Sequence, residues 1–245
     1  MDTYSRIIPD ADTALLFIHG ILGTPKHFEA FLPLVPECVS MVNICLDGHG
    51  KGVREFARTS MEKWEDQVDA QVDALLKNHR NVYLVGHSLG TLLAIEQAVK
   101  KPIAGLFLLA VPIQLRLKPR IVSTSWKLYV GKNENPDPYI LAAQNCCGVQ
   151  LEKNPFPYLG WIPRFWELFV KIREVRNLLP LLRTPCRVYQ SRQDELVGKG
   201  SAAYLQQYNV MDVKVLEHSS HYYYDPQDQA AMLQGFRKDD NRSGN

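Results

Sequence analysis

No apolar run in this 245-residue chain approaches the length needed to cross a bilayer. The first one, residues 14–18, leads into a glycine motif rather than a cleavage site, so neither a membrane span nor a secretory leader is expected. An excess of one charge is also missing. Lys plus Arg number 28 against 26 Asp plus Glu, a net charge of +2 that gives no reason to expect nucleic acid or an anionic membrane as the main partner. The basic stretch 118–120 is short enough to be a solvated face. Cysteine is scarce: five residues, an odd number, with no metal-ligand spacing, and the adjacent Cys146 and Cys147 are poorly placed for an ordinary bridge. Reduced thiols in a cytoplasmic protein are the expectation. There is no internal repeat and no low-complexity segment, and only residues 238–245 read as a disordered tail.

What is present is an alternation. Short aliphatic and β-branched runs at 14–18, 42–46, 82–85, 104–110, 186–190 and 213–217 are separated by helix-length segments, the pattern of an α/β protein with a mainly parallel central sheet flanked by helices. Between the second and third runs, Trp64, Val68, Val72, Leu75 and Leu76 line one face of a helix predicted over 61–77, with Ser60 as its N-cap. Residues 89–99 predict a second helix, ended by Lys100, Lys101 and Pro102. The alternation then breaks over 112–182, where prolines 119, 136, 138, 155, 157, 163 and 180 interrupt helical pieces such as 162–176. Because this segment lies between two strand-like runs, it is expected to be an inserted lid or cap over the mouth of one domain, whose core is 1–111 and 183–245.

The third run ends in Gly86-His87-Ser88-Leu89-Gly90, a serine framed by glycines where a strand turns into a helix. Such a turn is sharp enough to hold the hydroxyl above the carboxyl edge of a sheet, and the next amide, that of Leu89, points from a helix N-terminus toward any developing oxyanion. The first run ends similarly in His19-Gly20-Ile21-Leu22-Gly23, where small residues let backbone amides approach a substrate and Ile21 could supply a second oxyanion donor. Alone, this string is a glycine turn beside a buried histidine. Late in the chain stand two acids, Asp194 and Glu195, and two histidines, His218 and His221.

Together "FIHGILGTPKHF", "VGHSLGT", an acid after a late strand and a late histidine resemble the α/β-hydrolase superfamily. The resemblance spans roughly 13–236 and is weakest through the insertion. Within the superfamily, "LDGHGKG" at 46–52 is similar to small carboxylesterases and monoacylglycerol lipases. The family order of nucleophile, acid and histidine implies Ser88, Asp194 and His221 as a catalytic triad. The Asp-x-x-Val pattern favours Asp194 over Glu195, chain order disfavours Asp47 and Asp225, and the small residues before His221 favour it over His218.

The function so implied is hydrolysis of carboxylic esters of short to medium acyl chains through an acyl-serine, with the Ile21 and Leu89 amides as oxyanion hole. A substrate pocket is expected from His19, Gly20, Leu22, His87, Trp161, Phe165 and Trp166, since Trp161, Phe165 and Phe169 are four apart and share a helical face. His49 reads as a loop-fixing residue. No metal and no cofactor are expected, and the expected partner is a small-molecule ester, with no nucleic acid and no stable membrane insertion. The same triad could serve an acyltransferase, a peptidase or a carbon–carbon bond hydrolase. A non-catalytic ligand receptor on a hydrolase fold is the remaining class, disfavoured by the intact triad.

Overall fold

The computed structural model describes residues 2–116 and 137–240. The basic 118–120 stretch, residues 117–136 of the expected cap and the terminal 241–245 lie outside the described residues. Among the described residues, seven strands make the central sheet: β1 (Tyr4–Arg6), β2 (Thr13–Ile18), β3 (Ser40–Ile44), β5 (Asn81–His87), β6 (Gly105–Leu109), β8 (Cys186–Ser191) and β9 (Met211–Leu216), in the order β1-β3-β2-β5-β6-β8-β9. All neighbours are parallel except β1, which runs antiparallel to β3. A small parallel ladder pairs β4 (Lys51–Gly52) with β7 (Val149–Gln150).

Strands buried on both faces need apolar residues of both parities, and the sequence supplies them. Ala14, Leu16, Ile18, Leu84 and Leu108 pack with α2 (Met61–Asn78) and α3 (Leu89–Lys100). The alternate residues Leu15, Phe17, Val85 and Phe107 pack with Phe28, Phe31, Met232 and Phe236 on the other face. The predicted helix over 61–77 is found, capped by Ser60, whose Oγ accepts from the Lys63 N–H at 3.2 Å. β3 begins and ends two residues earlier than the run 42–46, because the amides beyond Ile44 leave the ladder: Cys45 N–H donates to Thr3 Oγ1 at 3.0 Å and Leu46 N–H to His19 Nε2 at 3.1 Å. Two features depart from expectation. The strand β1 has no sequence signature in its three residues, two exposed and one half-buried, and the C-terminal helix Pro226–Asp240 runs past Lys238, anchored by buried Met232 and Phe236.

Between the neighbouring strands β6 and β8 the chain forms α4 (Pro138–Cys146), β7, a 3₁₀ segment (Phe156–Trp161) and α5 (Ile162–Leu178). Leu168, Ile172 and Val175 of α5 are buried in the same cluster as α3, so the second half of this helix serves as the crossover between parallel strands. An ionic clamp fixes it there. The Lys171 ammonium, nearly inaccessible, pairs with Glu65 of α2, with Glu96 of α3 at 3.0 Å and with Glu174 at 3.0 Å, while Lys100 also reaches Glu96 at 2.8 Å. Burial alone would depress the Lys171 pKa, but the hydrogen bonds its ammonium donates to Glu65 and Glu96 outweigh it and hold it above the ordinary lysine value. Removing one partner of such a cluster strands the others, so Lys171→Met is expected to destabilise the fold by about 3 kcal/mol. Urea unfolding would measure this, and an unchanged midpoint would show that solvent reaches the carboxylates.

Candidate active site

Ser88 occupies the tight turn from β5 into α3 with φ +51° and ψ −117°, a conformation that L-residues avoid unless surroundings impose it. The surroundings are explicit. Ser88 N–H donates to Leu109 O at 2.9 Å, and Ser88 O accepts from Thr91 N–H at 2.9 Å and from Thr91 Oγ1 at 2.6 Å. The framing glycines let strand and helix close on each other: a Cβ on Gly86 would lie 2.7 Å from Gly90 O, and one on Gly90 would collide with Ile18 O.

The loop after β2 approaches the same point, since a Cβ on Gly20 would stand 2.9 Å from Ser88 Cβ. Gly23 N–H donates to Gly20 O at 2.9 Å, closing a turn with Ile21 and Leu22 at its centre, Leu22 at φ +58°. Leu22 O accepts from Gly148 N–H at 2.7 Å, and Gly148 O accepts from Gly50 N–H at 2.6 Å, which braces this loop from the segment between β6 and β8. A side chain on Gly148 would strike Gly23 O. Leu89 is the first residue of α3, where a helix amide has no intrahelical partner.

On the far side, Asp194 follows β8 and His221 follows β9. His221 Nδ1–H donates to Asp194 Oδ2 at 2.8 Å, both side chains being almost wholly buried. The other oxygen, Oδ1, accepts from the amides of Leu196 and Val197, each at 2.8 Å, so the carboxylate is held from both ends. Asp47 is placed differently, its carboxylate 3.8 Å from Lys63, and Asp225 caps the Gln227 amide at 2.9 Å. His218 is exposed, its amide tied to Asp228 at 2.8 Å. Glu195 does not pair with the imidazole; its Oε2 accepts from the backbone N–H of His221 at 3.2 Å.

Beneath these groups lie further imidazoles. His87 Nε2–H donates to His221 O at 3.0 Å, and the His87 ring stacks on His27 with centroids 3.7 Å apart. His19 donates from Nδ1 to Gly20 O at 2.9 Å and accepts at Nε2 from Leu46 N–H at 3.1 Å, which fixes a neutral tautomer. His49 meets His19 edge-on at 4.7 Å, and its Nδ1 faces the carbonyls of Leu46 and Asp47 at 3.2 Å. Burial depresses all four, His49 to about 4 and His27 to about 3, with neighbouring imidazoles lowering His19, His27 and His87 further.

Ser88 and His221 open onto a cavity of about 390 Å³ whose wall is mainly apolar, including Ile21, Leu22, Leu115, Phe165, Leu168 and Phe169. Of the pocket expected from the sequence, Leu22 and Phe165 line this cavity. His19, Gly20 and His87 lie behind it as supports. Trp161 and Trp166 stand elsewhere: Trp161 is buried against Phe56 with Nε1–H donating to Val53 O at 3.0 Å, and Trp166 is 70% exposed on the outer face of α5. The correction has a simple cause. A four-residue spacing places side chains on one helical face, but the turn from the 3₁₀ segment into α5 at Trp161–Ile162 sends Trp161 toward α1 (Val53–Arg58) instead. Tyr139, Cys147, Glu195 and Tyr222 also line the cavity and were not expected there. Tyr139 and Cys147 sit in a proline-interrupted stretch with no periodicity to place them. Among the described residues no cluster of three or more His, Cys, Asp or Glu is arranged to hold a metal, and no helix is long and apolar enough to cross a membrane.

A family model described as alpha/beta hydrolase matches residues 15–233, and the chain belongs to that family. Solved structures share the fold across nearly the whole chain. A structure of LipS and LipT, two metagenome-derived lipolytic enzymes, aligns with a TM-score of 0.71 at 18% identity, covering 97% of each chain. The monoacylglycerol lipase of Paleococcus ferrophilus aligns with a TM-score of 0.67 at 15% identity, covering 97% of this chain and 98% of that one. Est1E from Butyrivibrio proteoclasticus, with ferulic acid bound, aligns at 0.65 and 19%, covering 98% and 95%. No curated protein matches by sequence.

Proposed function

We propose that the protein is a serine hydrolase that cleaves carboxylic esters of short to medium acyl chains. The observation that carries this reading is the buried His221–Asp194 pair, opening with Ser88 onto one apolar cavity. Ser88 Oγ attacks the ester carbonyl, and His221 takes its proton and returns it to the leaving alcohol. Asp194 holds the Nδ1–H tautomer and stabilises the imidazolium as it forms. The Leu89 and Ile21 amides receive the oxyanion, and water then releases the acid from the acyl-serine. The lipolytic enzymes and monoacylglycerol lipase among the solved relatives lend the reading their substrate class. All five cysteines are free, which suits a cytoplasmic protein.

A panel of aryl esters of increasing acyl length tests it. Each methylene buried against Phe165, Leu168 and Phe169 contributes about 0.8 kcal/mol, so kcat/KM is expected to rise about fourfold per carbon until a cavity of about 390 Å³ is full, then fall. Phe165→Ala should move the maximum to a longer chain. No turnover of any ester by the wild type would sink the reading, and a flat profile would sink its acyl-binding wall.

A further inference from the structure

The cavity holds one ionic group that ester hydrolysis as such does not use. Glu195 lines it with Ser88 and His221, and among the described residues no lysine or arginine does so. One oxygen of Glu195 accepts from the His221 amide at 3.2 Å. No cation pairs with the carboxylate among the described residues, in contrast to Asp194, whose two oxygens are engaged by His221, Leu196 and Val197. The rings of Tyr139 and Tyr222, neither of them on α5, line the same space.

A carboxylate that no cation pairs among the described residues, in an aromatic-walled cavity, favours positive charge and disfavours negative charge. A primary ammonium would need acceptors for three N–H donors. An alkylated ammonium needs few or none, spreads its charge over methyl groups and is attracted by aromatic faces. Position narrows the choice further. Glu195 is bonded to the backbone of His221, the residue that in the ester-hydrolase reading hands a proton to the leaving alcohol, whereas α5 supplies the apolar wall for the acyl chain. Resting on that reading, we propose that the preferred substrates are esters whose alcohol carries an alkylated ammonium group, with Glu195 as its counter-ion. Cleavage adds water across the ester bond and yields a carboxylic acid and an amino alcohol.

The test compares butyrylcholine with its uncharged isostere, 3,3-dimethylbutyl butyrate. Wild type is expected to favour the choline ester about tenfold in kcat/KM, with the preference shrinking as salt is raised. Glu195→Gln keeps an acceptor for the His221 amide but removes the charge, so the ratio of the two substrates within that variant should fall toward one. Because the readout is a ratio, a general loss of activity cancels. Binding is read separately by calorimetry on Ser88→Ala, where butyrylcholine should bind more tightly than the isostere and Ser88→Ala/Glu195→Gln should abolish the difference. Equal efficiencies on both esters in wild type, or a preference that survives Glu195→Gln, would overturn the assignment while leaving ester hydrolysis standing. Turnover of neither ester nor of any aryl ester would overturn the hydrolase reading instead, and calorimetry would still decide whether the cavity takes the cation.

Discussion

Ser88→Ala is expected to lower kcat by on the order of 10⁴-fold or more, leaving the contribution of binding and of the oxyanion amides. The substitution isolates the hydroxyl because the backbone of the turn is held by other groups. The Leu109 carbonyl and Thr91 bond to the Ser88 main chain, and Gly86 and Gly90 allow the close approach of strand and helix. Alanine at φ +51° is no more strained than serine, so urea midpoints should agree between variant and wild type. A phosphonate that reacts with activated serines should label Ser88 and should fail on Ser88→Ala. An adduct on Ser191, Ser219 or Ser220, or retained turnover in the folded variant, would remove Ser88 as nucleophile.

Acid is expected to destabilise the fold steeply, through buried imidazoles that stand behind the cavity and take no proton in the proposed reaction. His19, His27, His49 and His87 are buried neutral, their pKa values depressed first by burial, while the same residues in an unfolded chain titrate near the ordinary value of about 6.5. The sign follows from proton counting. Above about pH 6.5 neither state is protonated and the native state loses nothing. Below it the unfolded chain takes up protons that the native one refuses, so stability falls with pH, by up to about 1.4 kcal/mol per pH unit for each histidine. Four together give up to about 5.5 kcal/mol per pH unit, with relief only as His49 titrates near pH 4 and His27 near pH 3. His19 cannot accept a proton without losing the Leu46 N–H that its Nε2 receives. Urea midpoints from pH 7.5 to 4.5 measure the slope, and His49→Phe should reduce it by about a quarter. A flat midpoint between pH 7 and 5 would show that these rings protonate in place. This loss belongs to the fold rather than to the reaction, so the same slope is expected in Ser88→Ala.

The alternation of apolar runs was enough to determine a mainly parallel sheet, since strands covered on both faces must be apolar at consecutive positions. Gly86, Ser88 and Gly90 were enough to place a sharp strand-to-helix turn, because only that spacing lets β5 and α3 pack so closely. Asp194 and His221 were nameable from chain order, but their 2.8 Å hydrogen bond joins loops after two different strands and exists only because β8 and β9 are neighbours. The strand β1 carries no local signal because its three residues draw their stability from β3 across the ladder. Periodicity groups Trp161, Phe165 and Phe169, yet the first ring is buried against α1 while the other two line the cavity, Phe169 half-exposed. Local sequence sets which residues share a helical face, whereas the neighbours that face meets are chosen by long-range packing. For the same reason Glu195, next to Asp194 in the chain, could be weighed only as its rival. Where its carboxylate points was decided by the fold, which gives the imidazole of His221 to Asp194 and the backbone amide of His221 to Glu195.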